Sequence, residues 1–471
     1  MTRVSAFRDD ALGDDDAVGL VARLKSGDVS PSELVEAAIA RFEAVNPTLN
    51  GLAYEAFDKA RDQASSQGSG FFAGVPTFFK DNVDVAEMPT MQGTDAWDPH
   101  PTSADGDFAR MFRGTGLIPL GKTQLSEFGF SAAAEHPRIG PVRNPWNTDH
   151  TAGASSSGSG AFVAAGVVPL SHANDGGGSI RIPASCNGLV GLKPTRGRMP
   201  LDKQMRQMPL RVVHNGVVSR SVRDTAAFFR EAERIWPARK LPAIGDVTRS
   251  GSERLTIAVI TRSLFRESAP EVRELTLKTA SLLEELGHRV AHLDSPPVPA
   301  TFADDFILYY AFLGYALVHG GRRMFGPSFD ASKLDNLTLG FERHAAHNLH
   351  RLPLAIVRLR AMRRRLARLY RTYDAVLTPT IADPPPPVGH FDPTADYQQI
   401  IDRLIEWVAF TPLHNATGDP AISLPLTESP DGLPVGMMFS AAWGQERRLL
   451  ELAYELEEAR PFRRIQDAPA R

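Results

Sequence analysis

Two stretches of the 471-residue chain set hydroxyl groups among glycines: residues 151–160, T-A-G-A-S-S-S-G-S-G, and residues 174–183, N-D-G-G-G-S-I-R-I-P. Gly176, Gly177 and Gly178 precede Ser179 directly, which permits a turn whose N–H groups point inward together. Donors so arranged stabilise the oxyanion of a tetrahedral intermediate. A serine hydroxyl is a weak nucleophile until a base takes its proton. The nearest upstream candidate is Lys80, within residues 74–82, G-V-P-T-F-F-K-D-N, where apolar residues crowd the positions before it. Burial penalises the ammonium form and lowers its pKa from about 10.4, which makes a neutral amine available near pH 7. On local pattern alone, the same lysine also reads as a side chain snorkelling from a strand end.

Other chemistries find less support. Neither stretch has the lysine of G-x-x-x-x-G-K-[ST] or the G-x-G-x-x-G that opens a dinucleotide-binding helix, and neither contains the G-x-S-x-G of a nucleophile elbow. His100, His136, His150 and His172 show no paired metal-ligand spacing and read as loop or packing residues, so no metal is expected.

Taken together, the three segments resemble one family, the amidase signature hydrolases. Lys80 matches the lysine of G-V-P-x-x-x-K-D, Ser155 the first serine of G-G-S-S-G-G-S, and Ser179 the nucleophile of D-x-G-G-S-I-R-x-P. The resemblance continues through residues 188–195, G-L-V-G-L-K-P-T, residues 415–425 and residues 431–437, and covers about residues 25–465. Residues 172–198 look like the bacterial branch that includes 6-aminohexanoate cyclic dimer hydrolase. The resemblance implies an α/β fold with a large mixed central sheet covered by helices on both faces, and hydrolysis of small or linear amides without a cofactor. It also implies roles: Ser179 attacks, Ser155 sits on a cis peptide bond and relays the proton, Lys80 is the neutral base, and Gly176, Gly177 and Gly178 bind the oxyanion. Asp175 and Arg181 would brace the nucleophile loop, and Ser156 would support the relay. Ala154 and Ser157 replace glycines of the family pattern, and Gly176 stands where threonine is common. If position 154 or 157 needs a positive φ, its side chain is strained there. Two alternatives share these motifs: a glutamine-amidotransferase subunit serving transfer-RNA charging, and a silent binding protein that keeps the fold.

The elements that must position these residues are partly legible. Ser30, Pro31 and Glu33 form a capping box with proline at the first helical position, followed by apolar Leu34, Val35, Ala38, Ile39 and Phe42 on one face. Residues 255–260, a helix face from Val272 to Leu286, and residues 289–293 read as a parallel β-α-β unit. A strand is expected at residues 375–377. Residues 351–371 carry eight arginines, yet Leu359, Met362, Leu366 and Leu369 recur among them at helical spacing, so a solvated amphipathic helix is expected rather than a nucleic-acid surface. Chemistry is expected within residues 70–200, and variable substrate loops at residues 297–350 and 383–410 of a single domain.

Composition limits the setting. With 42% hydrophobic residues, 23% charged residues and a formal charge of -3, the chain gives no electrostatic argument for nucleic acid or anionic membrane. Cys186, the one cysteine, excludes an internal disulfide and fits a cytoplasmic setting as a buried filler. The N-terminal residues lack the pattern of a secretory signal, and no apolar run reaches the ~20 residues of a membrane helix. The expected partner is a small amide, with a homodimer also admitted.

Overall fold

In the computed structural model, which describes residues 2–66, 68–264 and 266–467, the capping box at Ser30 is complete. The Ser30 hydroxyl accepts from the Glu33 N–H at 3.2 Å, and Glu33 accepts from the Ser30 N–H at 2.8 Å. The helix Pro31–Leu49 buries the predicted apolar face and ends at Asn50, whose φ is 53°. Reciprocal satisfaction of end donors is what lets that helix start sharply.

Among the described residues, eight strands form one mixed sheet. Their spatial order is Arg289–His292, Thr256–Val259, Ala375–Pro379, Pro434–Ala441, Ala421–Glu428, Val190–Lys193, His214–Ser219 and Leu170–Asp175. The first three run parallel and every later pair is antiparallel. The predicted β-α-β unit is present: Thr256–Val259, the helix Pro270–Glu285, and Arg289–His292, with Thr256 opposite Arg289.

Helices cover both faces, and strand alternation shows how. Gly436 and Met438 meet Ser185 and Arg181 of the helix Arg181–Asn187 on one face. Met437, pointing the other way, meets Thr276 of the helix Pro270–Glu285. A second sheet of three strands, in the order Leu52–Glu55, Ile118–Thr123 and Pro76–Lys80, docks on the edge strand Leu170–Asp175. Side chains bridge the two sheets: Thr77 Oγ1 donates to Leu170 O at 3.0 Å, Ser171 Oγ to Phe78 O at 3.2 Å, and the Lys80 N–H to His172 Nδ1 at 3.1 Å. These bonds bring the end of the Lys80 strand beside Asn174.

One expectation is corrected. Residues 297–350 are not mainly a loop; they contain the helices Phe302–Phe325 and Asn336–Asn348, whereas residues 383–396 are turns and irregular chain that lead into the helix Tyr397–Val408. The longest of these buries Phe302, Phe306, Leu308, Tyr309 and Ala311 against several neighbours at once, so its apolar residues do not form the single stripe that betrays a surface helix. The arginine-rich segment is the helix Leu352–Leu369, with Leu359, Met362 and Leu366 buried and its arginines mostly exposed. No helix among the described residues is long and apolar enough to cross a membrane.

Candidate active site

Lys80 closes a strand whose five residues are all buried, and its side chain is itself fully buried. Nζ lies 2.7 Å from Ser155 Oγ and 2.7 Å from Asn174 Oδ1. Burial drives the Lys80 pKa well below its ordinary 10.5, against the opposing pull of the Asp175 carboxylate. An ammonium stripped of water is the disfavoured form, so burial shifts the balance toward the amine.

Ser155 follows a cis peptide bond to Ala154. The residue with positive φ in this turn is Gly153, at 68°, where a Cβ would meet Cys186 Sγ at 2.8 Å. Neither Ala154 nor Ser157 has a positive φ, so neither side chain incurs the penalty considered from the sequence. Ser157 begins the helix Ser157–Ala165 and donates to Gly153 O at 2.6 Å. Ser156 Oγ donates to Asn174 O at 3.3 Å.

The nucleophile candidate leaves the edge strand through a glycine turn that Asp175 organises. Asp175 accepts from the Gly178 N–H at 2.7 Å, from Arg181 Nε and a terminal guanidinium nitrogen at 2.8 and 2.9 Å, and from Asn415 Nδ2 at 2.8 Å. Burial alone would raise this carboxyl; the charge and bidentate bonds of Arg181 outweigh it and hold Asp175 well below the usual carboxylate range. Gly178 has φ 141°, and a Cβ there would meet Thr411 Oγ1 at 2.3 Å.

This arrangement revises the donor set read from the sequence. The Gly178 N–H is taken by Asp175 and is not free for a ligand. Among the described residues, the N–H groups of Gly176, Gly177 and Ser179 have no acceptor in the protein. The Ser179 hydroxyl also makes no hydrogen bond within the protein, and it faces a cleft whose wall includes Gly129, Ala154 and Gly177.

Sequence reasoning missed three contributors. Asn174 opens the second glycine-serine stretch, but nothing in the sequence marks it as the partner of Lys80. Thr411, whose Oγ1 donates to Gly177 O at 2.6 Å, lies far along the chain. Tyr310, from the helix Phe302–Phe325, sets its hydroxyl 2.7 Å from where a Cβ on Gly176 would be. Burial raises the Tyr310 phenol above its ordinary 10.0, so it stays protonated. No local pattern marks it.

The Amidase family matches residues 33–450, and the chain belongs to that family, an amidase acting on carbon–nitrogen amide bonds. A protein of Mycobacterium leprae (strain TN) named "Putative amidase AmiC" is 66% identical over 466 residues, 99% of either chain. The solved structure of 6-aminohexanoate cyclic dimer hydrolase is similar at a TM-score of 0.87 with 30% identity, covering 98% of this chain and 99% of that one. A bacterial aryl acylamidase of the amidase signature enzymes is similar at 0.85 with 26% identity, covering 95% and 96%.

Proposed function

We propose that this amidase cleaves small amides through an acyl-enzyme on Ser179, with Ser155 as proton relay and Lys80 as neutral base. The observation that carries the reading is the buried 2.7 Å contact between Lys80 Nζ and Ser155 Oγ beside the glycine turn that presents Ser179. As Ser179 Oγ bonds to the carbonyl carbon, its proton passes to Ser155, whose own proton passes to Lys80. The N–H groups of Gly176, Gly177 and Ser179 stabilise the oxyanion. The carbon–nitrogen bond then breaks as the proton returns from Lys80 through Ser155 to the leaving nitrogen, because an amide anion is a very poor leaving group. Water attacks the ester in the second half-reaction, its proton goes to the Ser155–Lys80 pair and then to Ser179 Oγ, and the acid departs. Asp175, Arg181 and Asn415 hold the turn, and Ser156 steadies the carbonyl of Asn174. The chain acts as one domain, in a cytoplasmic setting, on a small-molecule partner, and its own side chains and backbone N–H groups, with water, supply the chemistry.

The testing experiment is hydrolysis of aryl and alkyl amides by the wild type, Ser179→Ala and Lys80→Ala, with folding checked by circular dichroism. Turnover in the wild type that falls by about 1000-fold or more in both variants is the expected result. Turnover that survives Ser179→Ala removes the mechanism.

A further inference from the structure

Two clefts meet at the glycine turn, and they do not share the catalytic groups equally. Ser179 and Gly177 line the first, a cleft enclosing ≈ 860 Å³ with its mouth included; its walls are Ile182, Phe306, Phe341, Ile401, Leu404 and Ile405. Ser155, Asn174 and Gly176 line the second, ≈ 1170 Å³, whose walls include Gln92, Met205, Met208, Leu313, Leu317 and Phe325. Gly129, Phe130 and Tyr310 belong to both and stand between them. The Phe130 and Tyr310 rings lie 6.0 Å apart, and Phe341 closes on Phe130 at 5.4 Å, so the partition is an aromatic wall.

Resting on the mechanism proposed above, the geometry points to a substrate that is a neutral, N-substituted amide with an apolar group on each side of the scissile bond: the acyl group in the first cleft, the amine in the second. The leaving nitrogen must come within hydrogen-bond reach of Ser155 Oγ to receive its proton, and Ser155 lines the second cleft. The acyl group remains bonded to Ser179, which lines the first. Charge decides the substrate's character. Among the described residues, no Asp, Glu, Lys or Arg lines either cleft, so neither a free ammonium nor a carboxylate finds a counter-ion there. Desolvating an unpaired charge is costly, which disfavours zwitterions such as glutamine and amides bearing charged termini. The apolar walls suit alkyl or aryl groups, while the amide dipole meets the free N–H groups of the turn and the unpartnered Tyr310 hydroxyl.

Acyl-enzyme kinetics separates the two clefts, since the amine has left before deacylation begins. The probes are anilides and alkylamides of acetic, butyric, hexanoic and benzoic acids, followed by rapid mixing, with Ser179 acylation read by intact mass. Leu404→Trp, which fills the first cleft, is expected to slow both acylation and deacylation for hexanoyl by about tenfold or more while sparing acetyl. Leu404→Ala covers the case that the larger side chain disturbs folding, and is expected to move the optimum to longer acyl chains. Met208→Trp, in the second cleft, is expected to slow acylation by bulky anilides by about tenfold and to leave deacylation of the common acyl-enzyme unchanged. A Met208→Trp effect on acyl-chain preference or on deacylation overturns the assignment. Faster cleavage of glutamine or of 6-aminohexanoyl amides than of their uncharged isosteres overturns the neutral class. Failure of the underlying mechanism looks different: no mass adduct on Ser179 with any substrate.

Discussion

Burial makes Lys80 harder to protonate in the folded chain than in the unfolded one. Its folded pKa is depressed by burial, so between that value and 10.5 the unfolded state binds a proton that the folded state lacks. Stability therefore rises with pH across that window, and the cost of keeping the amine is greatest at its acid side. Lys80→Met is expected to abolish turnover and to flatten this rise, measured as urea midpoint against pH from neutrality to pH 10.5. Parallel curves for the two proteins would sink the idea. Gly178 makes a second demand at the same scale. Its φ of 141° and the 2.3 Å approach of Thr411 Oγ1 to a built Cβ leave no room for alanine. Gly178→Ala is expected to displace the turn and to lose roughly 1–3 kcal/mol of stability with most of the activity. Near-wild-type values of kcat and urea midpoint would show that the turn accommodates the methyl.

Elements supply what the motif residues cannot. The short turn Glu127–Gly129 carries Gly129 into both clefts, and it is tied to the start of the helix Asn336–Asn348 by the Asp335 N–H, which donates to Glu127 Oε1 at 2.9 Å. Burial, then the neighbouring Asp335 carboxylate, pushes Glu127 up to about 8. A carboxyl raised in the folded state contributes stability that is full below its unfolded pKa of 4.5 and is lost as pH rises through 8. Glu127→Gln keeps the acceptor for the Asp335 N–H and removes the titration. Its melting temperature is accordingly expected to gain on the wild type as pH rises from 5 to about 9. A constant difference over that range would assign the pH dependence elsewhere. The contrast with the sequence reading is physical. The glycine-serine stretches were legible because their geometry is local. Tyr310 and Thr411 were not, because a helix and a turn remote in sequence bring them there, and the Phe302–Phe325 helix hides its pattern by being buried on several sides. The free donors of the turn were misread by one residue, since only the fold reveals that Asp175 takes the Gly178 N–H.

At the scale of the whole molecule, the segment after the motif region is locked to the C-terminal helix. Arg198 donates to both Glu446 oxygens, at 3.0 and 2.8 Å, and Glu446 also accepts from the Thr195 N–H at 2.8 Å. The two side chains are 1% and 0% exposed. Glu446 opens the helix Glu446–Ala459, which packs on the strands Ala421–Glu428 and Pro434–Ala441, so this pair joins the loop beyond Lys193 to the centre of the sheet. A buried pair adds little over an apolar replacement, but stripping one partner leaves a desolvated charge behind. Arg198→Ala is expected to cost about 3–5 kcal/mol for that reason, while the joint replacement Arg198→Met with Glu446→Leu recovers part of the loss, since it still leaves the Thr195 N–H and Glu233 without those partners. Because the pair ties that loop to a helix packed on the centre of the sheet, the loss should appear as one shift of a single urea transition, coincident by tryptophan fluorescence and circular dichroism. Two separated transitions in the wild type would divide the chain into independent units. A loss in Arg198→Ala below about 1 kcal/mol, the range of exposed pairs, would mean that water reaches Glu446.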